Sequence, residues 1–274
     1  CTTQVRVVDN VPPVITACAG NQSLTADANC KGTVPDLRDS VTATDLCGIK
    51  SVTQSPAAGT LISSTTTVTL TVTDTNNNTA TCTASLSLSD VTPPVFTATS
   101  PDKTVNRGAA CTAVVPDVTA ATRASDACGS VTLSQSPAAG TVVSQNTVVT
   151  VTATDRAGNK ATDTVNVTLA DVTAPVITKF PATQTVQLDG NCQATVPDLI
   201  SNPQLFAASD NCGVTGKQQQ PAAGTLISGS TVVRLGVADA AGNTATKDVT
   251  VNVVDNTAPT IQCPPAFSLE RNAS

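Results

Sequence analysis

The sequence predicts an all-β chain of three tandem β-sandwiches, and three observations carry that prediction. One phrase opens four segments: DNVPPVIT at Asp9, DVTPPVFT at Asp90, DVTAPVIT at Asp171 and DNTAPTIQ at Asp255. The spacings of 81, 81 and 84 residues are those of domains, not of solenoid repeats. Each period holds two segments in which apolar residues strictly alternate with polar ones, the mark of half-buried antiparallel strands. The composition is rich in Thr, Val, Ala, Ser and Asp, with Glu270 as the sole glutamate and no His, Trp, Tyr or Met. Such a chain favours strands and does not support long helices.

The elements follow in the same order in each period. A Pro-stiffened junction phrase leads in. The tripeptide VPD (34–36, 115–117 and 196–198) ends an early strand, and SPAAGT, SPAAGT and QPAAGT mark Pro/Gly turns. Next, Val68, Leu70 and Val72 alternate with Thr67, Thr69, Thr71 and Thr73. Their counterparts are Val149, Val151 and Ala153, then Val233, Leu235 and Val237. A hairpin turn follows, TDTNNNTA, TDRAGNKA or ADAAGNTA, in which Gly-Asn or Asn-Asn supplies the position of positive φ. The last strand alternates through Ala84, Leu86 and Leu88, then Val165, Val167 and Leu169, then Val249, Val251 and Val253. Short strands with turn signals every ten residues or so give sandwiches. The expected division is a terminal last-strand segment 1–8, repeats 9–89, 90–170 and 171–254, and a first-strand segment 255–274 of a fourth repeat.

Ten cysteines fall at repeat-equivalent places. Cys30 and Cys47, Cys111 and Cys128, and Cys192 and Cys212 recur once per repeat and read as disulfides closing short loops. A zinc site wants clustered C-x-x-C pairs, and none exists, so an oxidising compartment is expected. Cys82 lies eight residues before Asp90, as Cys1 does before Asp9; Cys18 and Cys263 sit early in their own segments. Cys18 with Cys82 therefore reads as a bond between first and last strands. Cys1 and Cys263 then each want a partner of the kind the other provides, and an inter-subunit bond between them is expected. Three sandwiches end to end hold the termini on the order of 100 Å apart, far beyond the ~4.4–6.8 Å Cα separation of a disulfide. Cys1 has a second reading as a lipid-bearing mature N-terminus, which its register with Cys82 disfavours.

A net charge of −6 and the lack of a basic stripe argue against nucleic acid as a partner, and no apolar run has the length of a membrane span. Without histidine, and with one glutamate, no Ser-His or Cys-His arrangement and no glutamate pair exists, so no catalytic residue is expected. Without Trp or Tyr, the usual aromatic platform for a sugar or protein ligand is missing.

The opening D-x-T-x-P-x-I, the phrase Asp45-Leu46-Cys47-Gly48 with its two copies, and the closing D-x-x-G-N-x-A before alternating valines resemble the hyalin repeat. That is an immunoglobulin-like family of extracellular and surface proteins. Repeat one departs from the pattern at Asn76-Asn77-Asn78, where glycine is absent. The resemblance implies adhesion or structural work outside the cell, with no enzymatic activity. Its topology gathers Asp90, Asp126 and Asp155 at one junction and Asp171, Asp210 and Asp239 at the next, two candidate calcium sites with hard oxygen ligands. Turn chemistry alone also accounts for each of these aspartates. Asn21, Asn77, Asn166 and Asn272 stand in N-x-S/T sequons, candidate carriers of covalent glycan. The expectation is an extracellular structural protein whose copies join head to tail by terminal strand exchange locked by Cys1–Cys263. The alternative is a window of a longer surface adhesin or stalk.

Overall fold

The structure is a computed structural model and describes residues 3–266 and Ser268. It is all-β apart from single 3-10 turns at Arg38–Ser40 and Thr119–Ala121. The chain divides into two compact units. One comprises the residues up to Lys103 with Val115–Thr141 and Thr147–Val167; the other comprises Thr104–Val114, Val142–Asn146 and the residues from Thr168 on.

The first unit contains the whole of the first repeat. Its strands are β1 (Val14–Ala17), β2 (Gln22–Thr25), β3 (Gly32–Thr33), β4 (Thr42–Thr44), β5 (Ile49–Ser55), β6 (Leu61–Ile62), β7 (Thr66–Asp74) and β8 (Thr79–Ser89). One sheet has the order β2-β8-β7-β5, and the pairs β1·β4 and β3·β6 make the other layer. The opening stretch therefore serves both layers: β1 runs antiparallel to β4, then β2 runs parallel to β8. Between the layers Val34, Leu37 and Ile62 pack with Val68, Leu70, Ala84 and Leu86. The alternation read from the sequence becomes burial, since Val68, Leu70 and Val72 are wholly enclosed while the threonines between them are not. Aliphatic side chains of Ala, Val, Leu and Ile fill this core at the close packing that protein interiors require.

The second repeat supplies β9 (Val95–Ala98), β10 (Lys103–Asn106), β11 (Ala113–Val114), β12 (Arg123–Ser125), β13 (Thr132–Ser136), β14 (Val142–Val143), β15 (Thr147–Thr154) and β16 (Lys160–Ala170). Within the first unit β9 pairs with β12, β13 with β15, and β15 with β16 from Thr147↔Val167 to Thr154↔Lys160. Within the second unit β11 pairs with β14.

That unit also holds the third repeat: β17 (Val176–Lys179), β18 (Gln184–Gln187), β19 (Ala194–Thr195), β20 (Ala207–Ser209), β21 (Val214–Gln220), β22 (Leu226–Ile227), β23 (Thr231–Asp239) and β24 (Thr244–Val254). Its sheet β18-β24-β23-β21 and its pairs β17·β20 and β19·β22 repeat the pattern of the first. Phe206 is buried in its core beside Val196, Leu199, Val233 and Leu235.

One internal bracket recurs in all three repeats. The Gln54 amide oxygen accepts from Leu37 N–H at 2.8 Å, and its Nε2 donates to the carbonyls of Pro35 and Pro56. Gln135 serves Val118, Pro116 and Pro137 in the same way, and Gln219 serves Leu199, Pro197 and Pro221. The bracketed loops would otherwise bury backbone groups without partners. Each glutamine precedes a cis Ser-Pro or Gln-Pro bond by one residue.

The terminal segments differ from expectation. Residues 3–8 form no strand, and Val5 and Val7 are 86% and 92% exposed. The equivalent strand β8 is held between β7 and β2; residues 3–8 have no such neighbours among the described residues. Residues 255–266 also form no strand, and Cys263 is an exposed thiol. Cys1 lies outside the described residues.

Candidate functional site: the repeat junctions

Each junction is built from three turns anchored by aspartate. The linker Asp9 accepts from Val11 N–H through Oδ1, as Asp90 does from Thr92 and Asp171 from Thr173. The D-x-C-G turns close through Cys47 N–H to Asp45 Oδ1, Cys128 to Asp126 and Cys212 to Asp210, at 2.7–2.8 Å. In the hairpin before the last strand, Asp74 accepts from the Asn76 and Asn78 N–H groups and from Asn78 Nδ2. Asn77 takes the positive φ (72°) that Gly158 and Gly242 take in the later repeats, so asparagine replaces the missing glycine.

A side-chain brace ties hairpin to linker. Asn78 Nδ2 also donates to the carbonyls of Asp9 and Val11, Asn159 Nδ2 to those of Asp90 and Thr92, and Asn243 Nδ2 to that of Asp171. Asp74, Asp155 and Asp239 are buried. Burial alone would raise Asp155 and Asp239, but the donors from their hairpins outweigh it and hold both below the usual carboxylate range. Asp9 is also held low, chiefly by Val11 N–H.

The expected calcium sets fare differently. Asp171, Asp210 and Asp239 do converge, with carboxylate oxygens within 4.8 Å of one another. Asp171 Oδ2, Asp210 Oδ2 and the neighbouring Asn211 Oδ1 are buried there without a hydrogen-bond partner. At the preceding junction the third place beside Asp90 and Asp126 belongs to Cys128, not to Asp155. Asp155 accepts from Gly158 N–H, Asn159 N–H and Asn159 Nδ2, much as Asp239 accepts from Asn243. Asp9, Asp45 and Cys47 form a third group of this kind. The hydrogen bond of the Asp9 carboxylate with Cys47 pushes that thiol up.

Cys18–Cys82 forms as expected, with a Cα separation of 6.2 Å. The three short-loop pairings do not form. Cys30 is joined to Cys128 and Cys111 to Cys212, each bond linking one repeat to the next, with Cα separations of 4.9 and 4.7 Å. Cys47 and Cys192 are exposed thiols. The bonded turn cysteines, Cys30 and Cys111, have positive φ (57° each), and the sulfur each meets lies on the D-x-C-G turn of the following repeat.

In the third repeat, Phe180 and Lys247 stand where the first has Cys18 and Cys82. Lys247 Nζ sits 4.8 Å from the Phe180 ring centroid, so a cation–π contact replaces the covalent tie. The sequon residues Asn21, Asn77 and Asn166 are exposed; Asn272 lies outside the described residues. Asn21 Oδ1 accepts from Ser85 N–H, Asn77 Oδ1 from Lys50, and Asn166 pairs with Asp102. Sequence reading missed the glutamine bracket and the asparagine brace. Their signal was a glutamine two residues before each proline of the PAAGT turns and an asparagine four residues after each hairpin aspartate.

Residues 8–87 match the HYR domain model. Hyalin of Lytechinus variegatus is 34% identical over 280 residues, an alignment covering 96% of this chain. Residues 8–87 belong to the HYR domain family. It spans about half, 51%, of the length of that curated relative. Among solved structures, a three-immunoglobulin-domain fragment of titin aligns over 91% of this chain and 100% of its own, with TM-score 0.41 and 11% identity. Immunoglobulin domains 1–5 of Sidekick-1 align over 90% of this chain and 60% of their own, with TM-score 0.36 and 14% identity. The repeats here are tandem β-sandwiches, and likeness to hyalin together with the disulfides places the chain outside the cell or at its surface.

Proposed function

We propose that this chain is an extracellular structural protein of adhesive type whose copies join head to tail through their terminal segments. The observation that carries this reading is the pair of unpartnered ends. Residues 3–8 carry the alternation of a last strand, and residues 255–263 repeat the opening phrase of a first strand, yet both lie exposed. A terminal strand that adds to a neighbour's sheet edge gains backbone pairing, and contacts that do not close on themselves give filaments. Cys263 of one copy and Cys1 of the next would lock the joint. No catalytic step belongs to this reading, and covalent glycan on the exposed sequons is compatible with it. A denaturing gel with and without reductant, after deglycosylation, tests it. A ladder collapsing to a single band near 27.4 kDa supports joined subunits. A reduced band far above that mass supports the alternative, one long array of HYR repeats forming a surface adhesin or stalk.

A second reading, calcium at Asp171, Asp210 and Asp239, is favoured by the orphaned oxygens there. Every unpartnered buried atom at that junction is an oxygen, the donor type a hard cation takes. A bound ion would stiffen the joint by holding linker, D-x-C-G turn and hairpin together. Calcium titration followed by calorimetry tests it: binding that Asp171→Asn and Asp210→Asn each weaken supports the site, and no heat at millimolar calcium refutes it.

A further inference from the structure

The inter-repeat disulfides follow one rule. The cysteine of a positive-φ turn in one repeat is joined to the D-x-C-G cysteine of the repeat after it, as in Cys30–Cys128 and Cys111–Cys212. Applied to the remaining cysteines, the rule leaves one half-site on each side. Cys192 is a turn cysteine and Cys47 a D-x-C-G cysteine, and both are exposed and unbonded.

The Cys192 turn already has the form of the bonded ones. Its φ is 56°, against 57° at Cys30 and Cys111. Cys192 N–H donates to Asp189 O at 3.0 Å, as Cys30 N–H does to Asp27 O at 2.9 Å. Asp189 Oδ1 accepts from Asn191 and Gln193 as Asp27 Oδ1 accepts from Asn29 and Lys31.

The receiving side shows what it is shaped for. Next to Cys212, the hollow lined by Val176, Asp210 and Asn211 is bounded by Arg107, Gly108 and Ala109, from the turn that carries Cys111. Asn211 Nδ2 donates to Gly108 O at 3.1 Å across that contact. At Cys47 the matching hollow, about 360 Å³, is lined by Val11, Val14, Thr44, Asp45, Leu46 and Cys47. All of these are residues of its own repeat; among the described residues no turn of another repeat lines it. Leu46, in the place of Asn211, is fully exposed. Val11 and Val14 are exposed there too, and such a cluster of apolar side chains around an open hollow and a thiol marks a contact surface.

We propose that Cys47 and Cys192 are the two halves of a further inter-repeat staple. The hollow at Cys47 receives the cysteine turn of a preceding HYR repeat, and the Cys192 turn enters the corresponding hollow of a following one. This rests on the reading of the chain as an extracellular repeat protein, but not on its terminal segments. In the bond-forming step two thiols lose two protons and two electrons and form one S–S bond. The electrons reduce a disulfide oxidant, such as oxidised glutathione, to two thiols. The partner repeat has two sources: a second copy of this chain, or a further repeat of the same polypeptide.

The chain is oxidised in glutathione buffer at rising protein concentration, run on a non-reducing gel and mapped by mass spectrometry of its cross-linked peptides. A Cys47–Cys192 cross-linked peptide between copies, lost in Cys192→Ser and in Cys47→Ser but kept in Cys263→Ser, supports the staple with a second copy as its source. In material from the native source, Cys192 joined to a D-x-C-G peptide outside this sequence supports it with a further repeat. Cys192 joined to Cys212, Cys47 joined to Cys30, or both thiols alkylated as free in both preparations overturns it. The terminal-segment reading fails separately, because its bond, Cys1–Cys263, persists when Cys192 is serine.

Discussion

The Gln219 bracket makes a sharp prediction because the sequence provides its own controls, Gln218 and Gln220. Replacing Gln219 by Met keeps length and volume but removes all three hydrogen bonds. Leu199, whose N–H loses its acceptor, is 1% exposed. Orphaning that donor costs ~1–3 kcal/mol, and under-serving the carbonyls of Pro197 and Pro221 adds to it, for a total of about 2–4 kcal/mol. A repeat of this size has on the order of 4–12 kcal/mol of stability in all. The melting transition of the third repeat should therefore fall by roughly 10–25 °C, as resolved by differential scanning calorimetry, with amide exchange of residues 196–206 assigning it. Gln218→Met and Gln220→Met, which touch neither loop carbonyl, should stay within ~0.5 kcal/mol of the parent. If Gln219→Met is no worse than Gln220→Met, the bracket contributes nothing and the argument from buried backbone groups is wrong.

Removing Cys18–Cys82 as the double serine variant should destabilise the first repeat by about 4 kcal/mol in the chain-entropy treatment, seen as loss of its reductant-sensitive calorimetric transition. Lys247→Ala should cost the third repeat about 0.5–1 kcal/mol through the lost contact with Phe180, measured by urea titration. Phe180→Cys with Lys247→Cys should restore the disulfide of the first repeat, read as the loss of two hydrogens in the intact mass; two free thiols would refute the register. Asp155 and Asp239 have folded pKa values below their unfolded ones, so what they contribute is fully present above the ordinary carboxylate range. It is lost as pH falls through that range to the folded values. Melting temperatures should thus be flat from neutral pH to about 5 and drop only below about 4, with a shallower drop in Asp239→Asn.

The fold was legible because its signals are local. Alternation at Val68–Val72 and Val249–Val253 and the hairpin asparagines each describe one strand or one turn, and burial followed them residue by residue. The division of the opening stretch between layers was not legible, since β2 is short and its parallel partner β8 lies more than sixty residues away. The disulfide wiring was hidden by the repetition itself. The span from Cys30 to Cys128 differs from that of Cys30 to Cys47 by one 81-residue period. In a tandem array any pairing within a repeat has a twin one period along, and only the placement of the turns against each other separates the two. The Asp171–Asp210–Asp239 group was foreseen from topology. Asp155 does not join Asp90 and Asp126, although its hairpin hydrogen bonds match those of Asp239; which oxygens converge depends on how linker and hairpin are placed, and spacing does not encode that.

The crossed disulfides also determine where tension would travel. The loops closed by Cys30–Cys128 and Cys111–Cys212 overlap between residues 111 and 128. A pull applied at residues 30 and 212 is carried by two sulfur bridges and the short stretch that joins them. At full extension that stretch yields on the order of 60 Å, where the unbridged polypeptide would pay out about ten times as much. The body of the first repeat and the strands after Cys128 stay off the load path. Chemical reduction would therefore act as a release, turning a nearly inextensible strap into one that lengthens by unravelling its domains.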